Sequence, residues 1–179
     1  MKLKFFKKKQ KGFTLVEILL VVGFISLASI AIYEVFNAAS TTSKARDEMW
    51  QLEELANKIK ANYSVVADYT GVTQATVLAN NYAPVKMING GALTNSFGGN
   101  VLITPSTIGG GTANNSFMIT STIVPGNVCP KLVSLGSQYF HMVRINGMII
   151  KDVNTLQISP TNLADWCNAD TVTLDFFGM

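Results

Sequence analysis

Histidine occurs once in the chain, cysteine twice and proline five times, and these shortages remove whole classes of chemistry. His141 sits between Phe140 and Met142, where a packed or edge histidine is a simpler reading than a catalytic base. Cys129 and Cys167, widely spaced and with a single histidine, make a poor zinc set. Asp165, Asp170 and Asp175 are expected around a loop and a strand, with no spacing that pairs them for acid–base work. G-x-S-x-G, H-E-x-x-H and Walker sequences are absent. The sequence therefore reads as no enzyme, with neither cofactor nor metal.

Charge is also scarce, at 14% of 179 residues against 48% hydrophobic, which excludes disorder. The length suits one ordinary domain, and neither a repeat nor a dividing linker is visible after residue 36. The net charge of +3 comes from one end. Lys2, Lys4, Lys7, Lys8, Lys9 and Lys11 supply six of 14 basic residues, leaving 8 basic against 11 acidic elsewhere. A basic body seeking nucleic acid is not supported.

What is present begins with a basic leader, residues 1–12, which contains no acid. Phe13 to Phe36 then gives 24 residues in which Glu17 and Glu34 are the only charges. As a helix this segment is about 36 Å long, enough to cross a bilayer. The lysines before it stay in the cytoplasm, so the chain after residue 36 is exported. A secretory signal places its small-residue cleavage site after the apolar run. Here Gly12 precedes the run, so cutting there keeps the apolar helix.

KGFTLVE, residues 11–17, resembles the processing site of type IV prepilins and type II secretion pseudopilins. The resemblance runs through Gly12, Phe13, Thr14, Leu15, Val16 and Glu17 and on through the apolar helix. It implies cleavage between Gly12 and Phe13 by a prepilin peptidase, then N-methylation of Phe13. It also implies an inner-membrane subunit with a periplasmic head that is drawn into a surface pilus with other copies of itself. An assembly ATPase, an inner-membrane platform and a secretin are the implied machinery. At the place of Glu34 many pilins carry a kinking proline, and this chain has none.

Glu17 has its own argument. A carboxylate at the centre of a membrane helix costs about 2.5–3.5 kcal/mol on insertion scales, so it needs a partner. It can snorkel to the interface, or it can meet a cation in an assembly. Cleavage after Gly12 makes such a cation, the α-amino group of Phe13, charged near neutral pH. In a staggered bundle Glu17 of one subunit reaches the Phe13 amine of its neighbour, a pair that specifies register more than it stabilises. Gly23, Ser26, Ala28, Ser29 and Ala31 permit close helix approach, in an assembly or in a plain anchor.

The helix is expected to continue to about Val66, with Met49, Leu52, Ala56, Ile59, Tyr63 and Val66 forming one core stripe. Lys44, Arg46, Asp47, Glu48, Glu53, Glu54, Lys58 and Lys60 are expected largely off it. At ~80 Å such a helix exceeds what this mass can cover, so its first half is expected to protrude. Residues 68–116 read as loop-rich, with a small helix at 72–80 and a strand at 101–104. Further strands are expected at 116–124, 139–145, 148–153 and 171–177, with a helix at 128–137 and a hairpin turn at Asn146-Gly147. The fold class is α+β: a long protruding N-terminal helix packed through its C-terminal half on an antiparallel sheet. The domains run 1–12 (leader, removed), 13–36 (membrane and filament-core helix) and 37–179 (amphipathic half plus head).

Two cysteines in an exported segment suggest a Cys129–Cys167 disulfide, whose loop closure contributes about 4 kcal/mol in the chain-entropy model. The body resembles type IVb pilins through SFMITSTIVPGNVCPKLVSLG (116–136) and NSFGGN (95–100), whereas Phe13 and the short leader are more like type IVa. NSFGGN reads as a structural turn rather than a phosphate loop, since no Lys-Ser/Thr follows it. The function expected is a major pilin. The alternatives are a minor pilin or secretion pseudopilin and, from another class, a membrane-anchored periplasmic binding domain.

Overall fold

The computed structural model describes residues 12–63, 68–153 and 160–179. The leader lysines and Val66 lie outside the described residues. The chain divides into two compact units between Ala39 and Ser40.

In the first unit, helix α1 (Leu15–Tyr63) begins, and no glycine or proline other than Gly23 interrupts residues 13–39. It runs unbroken through Gly23 and Glu34, consistent with the missing proline. Its apolar side chains from Leu15 to Phe36 are exposed, and the helix is long and apolar enough to cross a membrane.

In the second unit α1 turns amphipathic and buries Ala45, Glu48, Met49, Gln51, Leu52, Leu55, Ala56 and Ile59. The apolar members pack in one core with Phe117, Ile119, Leu174 and Phe176 of a five-stranded antiparallel sheet. That sheet has the order β3 (Val101–Ser106), β4 (Ser116–Pro125), β7 (Thr171–Gly178), β5 (Met142–Ile145), β6 (Met148–Lys151). The last strand in sequence is thus central. Both its faces are covered: Leu174 and Phe176 join the main core, while Phe177 packs with Ile108 and Met142 on the other side. Pro105 is tolerated in β3 because this is an edge strand, where a missing N–H breaks no ladder on the outer side. Asn146 and Gly147, at φ +49° and +81°, make the expected tight turn between β5 and β6.

Between α1 and β3 lie α2 (Gln74–Ala79) and a two-stranded hairpin of β1 (Ile88–Asn89) and β2 (Ala92–Leu93). Thr73 caps α2 by accepting from the Thr76 N–H at 3.2 Å.

Three expectations are corrected. Tyr139 closes helix α3 (Cys129–Tyr139) instead of opening a strand, and β5 starts only at Met142, so His141 lies in the bend between them. The helix end is held there by Lys151, whose Nζ donates to Ser137 O in the last turn and to Phe140 O just beyond it, each at 2.7 Å. Asp165 lies on helix α4 (Pro160–Trp166), not in a loop; proline is favoured at a helix start. Glu48, placed off the stripe by its charge, is fully buried.

Candidate functional site

The expected site residues fall into two groups. The first is the start of α1. Thr14 stands where a cap would: its Oγ1 accepts from the Glu17 N–H at 3.3 Å, and its carbonyl accepts from the Ile18 N–H at 3.2 Å. One turn after Phe13, Glu17 therefore enters the helix with its backbone donor satisfied and its carboxylate exposed. Phe13, Glu17, Ile18, Val21 and Val22 line a shallow groove of about 210 Å³. Glu17 is the sole charged group on that lining. Gly12 precedes it in an open, non-helical backbone with nothing within 4 Å of a Cβ built on it. Further along, Ser26 Oγ donates to Val22 O at 2.9 Å and Ser29 Oγ to Ile25 O at 2.8 Å. Both hydroxyls are thus satisfied within the helix, as an apolar solvent requires.

The second group braces the head. Cys129, the first residue of α3, is bonded to Cys167, just after α4, with a Cα–Cα distance of 5.7 Å across 38 residues. The bond ties the segment leading into β7 to the segment leaving β4. Gly126 N–H donates to Asp170 O at 3.0 Å beside it, and a Cβ on Gly126 would stand 2.1 Å from Ala169 O. Only glycine permits that approach.

The turn 95–100 is a hub, with Asn95 at its centre. Asn95 Oδ1 accepts from the N–H groups of Phe97 (3.0 Å) and Gly99 (2.7 Å). Its Nδ2 donates to Ser121 Oγ (2.9 Å) and Thr122 O (2.7 Å) on β4. From the helix side, Glu48 Oε2 accepts from the Ser96 N–H at 2.7 Å, and Gln51 Nε2 donates to Ser96 Oγ at 3.3 Å. These contacts make NSFGGN a structural turn. Burial raises the Glu48 pKa, with the Ser96 bonds pulling the other way. Its Oε1 is buried with no hydrogen-bond partner among the described residues.

His141 Nδ1 is likewise buried without a partner among the described residues. Burial, then the charges of Lys60 and Lys151, push its pKa down. Lys60 Nζ stands 5.0 Å above the Tyr139 ring, and Tyr139 Oη donates to Asn57 Oδ1 at 2.6 Å, so the end of α3 is pinned to α1. On the outer sheet face Asp175 accepts from Thr120 Oγ1 at 2.7 Å and meets Arg144 Nε at 3.4 Å. No group of three or more His, Cys, Asp or Glu able to hold a metal occurs among the described residues.

The sequence reading missed the bracing role of Glu48 and Asn95. Glu48 was findable: it stands four residues before Leu52, on the phase of the buried stripe, and only its charge argued otherwise.

An apolar helix that becomes amphipathic, packs on an antiparallel sheet and carries a cystine ahead of the last strand defines a type IV pilin, most like type IVb. The PilS N-terminal family model matches residues 42–177. The chain belongs to that family. Its fold is similar to a type IV b pilin from Salmonella typhi, with a TM-score of 0.57 and 24% identity over 73% of this chain and 96% of that one. It is also similar to TcpA, a type IV pilin from Vibrio cholerae El Tor biotype, with a TM-score of 0.57 and 14% identity over 76% of this chain and 99% of that one. No curated protein matches the chain. Pilins are structural subunits, and the family and fold place this chain among them rather than among enzymes.

Proposed function

We propose that the chain is a prepilin, cut between Gly12 and Phe13 and N-methylated at Phe13, that serves as the major subunit of a type IVb-like pilus. Before assembly it spans the inner membrane through residues 13–36 with its head in the periplasm. A prepilin peptidase, an assembly ATPase, an inner-membrane platform and a secretin act on it. Glu17 of one subunit pairs with the Phe13 amine of the next. The observation that carries this reading is the groove of Phe13, Glu17, Ile18, Val21 and Val22, in which a single carboxylate lies one turn from the future α-amine. A charge in so apolar a setting needs a countercharge, and a second processed copy brings one. Glu17 also argues against a tip-initiating subunit that lacks this acid. Attachment, cell contact, conjugation and motility are alternative uses of the filament, chosen by exposed head loops.

Intact-mass measurement of the mature protein tests the proposal. The expected chain starts at Phe13 and carries one added methyl group. A start near residue 32 refutes it in favour of an ordinary signal peptide, and retention of residues 1–12 leaves a simple tethered domain.

A further inference from the structure

Three basic side chains gather at the end of α3 with no carboxylate paired to them. Lys60 comes from α1, and its Nζ stands 5.0 Å above the Tyr139 ring. Lys151 comes from β6, is 8% exposed, and donates to the carbonyls of Ser137 and Phe140. His141 follows Phe140, and its backbone N–H is tied to Phe177 O at 2.9 Å. Both lysines act on His141 through their charge. The ion pairs among the described residues, Lys58 with Glu54 and Arg144 with Asp175, involve neither of them. Two acids are close: Glu53 acts on Tyr139 through its charge, and Asp152 Oδ1 accepts from the Val153 N–H at 2.7 Å. Residues 64–67 and 154–159, outside the described ones, contain no acid.

The fold thus holds a positive potential that it does not neutralise. Burial lowers the pKa of Lys60 and of Lys151, as it does for ammonium groups short of water. Lys60 and His141 are only half-buried, so each keeps a side open to solvent. The Tyr139 ring holds the Lys60 ammonium in place before any ligand arrives. An anion there receives a charge-assisted hydrogen bond from Lys60 and one from the imidazole N–H, with Lys151 adding charge. A carboxylate brings one negative charge, whereas a phosphate monoester brings about 1.5 to 2 near pH 7 and three strong acceptor oxygens. The second matches two ammonium groups better. A nucleic-acid strand does not fit, because beyond the leader the chain carries more acid than base.

We infer that Lys60, His141 and Lys151 form a binding site for one phosphate group, of the free ion or of a phosphate monoester. The site lies wholly in the head unit and does not depend on the filament reading.

The test uses the full chain in detergent micelles. His141 is the only histidine, so its ring C–H gives one carbon–proton resonance. Inorganic phosphate is titrated at constant ionic strength, with chloride as the balancing ion. The expected shift of that resonance saturates, with half-saturation at about 1 mM. At saturation the pH at which His141 takes its proton moves upward, because a bound anion favours the imidazolium. Lys60→Gln should weaken the affinity about tenfold, while Lys60→Arg keeps it. Lys58→Gln, on the same helix but paired with Glu54, should leave it unchanged. Glycerol 3-phosphate separates the sources: binding as tight as that of inorganic phosphate assigns a monoester, and no binding assigns the free ion. A resonance that stays still, or whose shift never saturates, overturns the site, and this wild-type titration decides alone where Lys60→Gln does not fold. Equal affinity in wild type and folded Lys60→Gln also overturns it. So does an equal loss in Lys58→Gln, which means loose attraction to the whole surface.

Discussion

The Ser96 N–H donates to the Glu48 carboxylate at 2.7 Å across 48 residues, joining α1 to the turn that precedes the sheet. On its other side that turn reaches β4 through Asn95 Nδ2 and the carbonyl of Thr122. The helix and the sheet are thus connected by a polar path as well as by their shared core. Such a path fixes orientation, because hydrogen bonds have direction and apolar contacts do not.

Glu48 makes the head sensitive to pH. Burial lifts its pKa above the ordinary 4.5, so the folded state holds the proton more tightly than the unfolded chain. The stability this contributes is full below pH 4.5 and disappears as pH rises through the folded pKa. His141 acts with the opposite sign. Its depressed pKa contributes stability above pH 6.5 that is lost as pH falls through the folded value. Glu48→Gln keeps an acceptor for Ser96 and removes the titration. Its melting temperature should match or exceed wild type near neutrality, the gap closing in acid. Glu48→Ala leaves the Ser96 donor unpaired and should lose about 1–3 kcal/mol at any pH. Thermal melts of wild type and both variants across the acid range check this, and parallel wild-type and Gln curves would count against it.

Neighbouring glycines in the turn should respond differently to alanine. A Cβ on Gly99 would stand 1.8 Å from the Thr122 carbonyl oxygen, a backbone atom held by the sheet. Gly98 has open space around it, but its φ of +86° strains any other residue. Gly98→Ala should lose about 1–2 kcal/mol from backbone conformation alone. Gly99→Ala should lose ~3 kcal/mol or more, since the turn must move off β4. Urea unfolding of the two variants orders them, and the reverse order would contradict the bracing role of the turn.

Much of this fold was legible because it is local. The 3.6-residue period marked the core stripe through Met49, Leu52, Ala56 and Ile59, and Asn146-Gly147 marked the hairpin by its demand for positive φ. The central place of β7 was not legible, because strand order depends on pairing between residues far apart, such as Phe176 with Ile119 and Val143. The end of α3 was misplaced because Tyr139 and Phe140 carry strand propensity, while the deciding contacts come from Lys151 and Phe176. Glu48 was misread because charge outweighed phase in the sequence reading, and its partner lies on a distant turn. At the start of α1, sequence marked Gly12, Phe13 and Glu17 as a group, and the fold adds a groove that Phe13 and Glu17 border.

The cystine can be separated from assembly. Replacing Cys129 and Cys167 together by serine should lower head stability by about 2–5 kcal/mol, through the freed loop in the unfolded chain and the loosened approach to β7. The oxidised head should resist thiol alkylation, and reduction should lower its unfolding midpoint by the same amount as the double variant. Filaments should be lost with the subunit, seen as a falling membrane level rather than a failure of stable subunits to assemble. Full alkylation of native protein without a reducing agent would be incompatible with the bond.

Glu17→Val asks whether the first turn of α1 serves assembly or merely tolerates an acid. The change removes a carboxylate from a helix long and apolar enough to cross a membrane, so insertion should be unimpaired. The head should melt at the wild-type temperature, because Glu17 belongs to the first unit and its backbone N–H bonds to Thr14 Oγ1 of that same unit. Cleavage after Gly12 should proceed, since Gly12 is unchanged. If Glu17 pairs with the Phe13 amine of a neighbour, the variant subunit is processed and stable but assembles poorly, because the apolar helices can slide without a charge pair to fix their register. Glu17→Asp, with the charge kept on a shorter arm, should fall between valine and wild type. Electron microscopy of sheared surface fractions, with a membrane blot for the subunit, reads both halves of the result. A carboxylate that only snorkels to the interface gives wild-type filament number and length in both variants, and that outcome would leave α1 as an anchor alone.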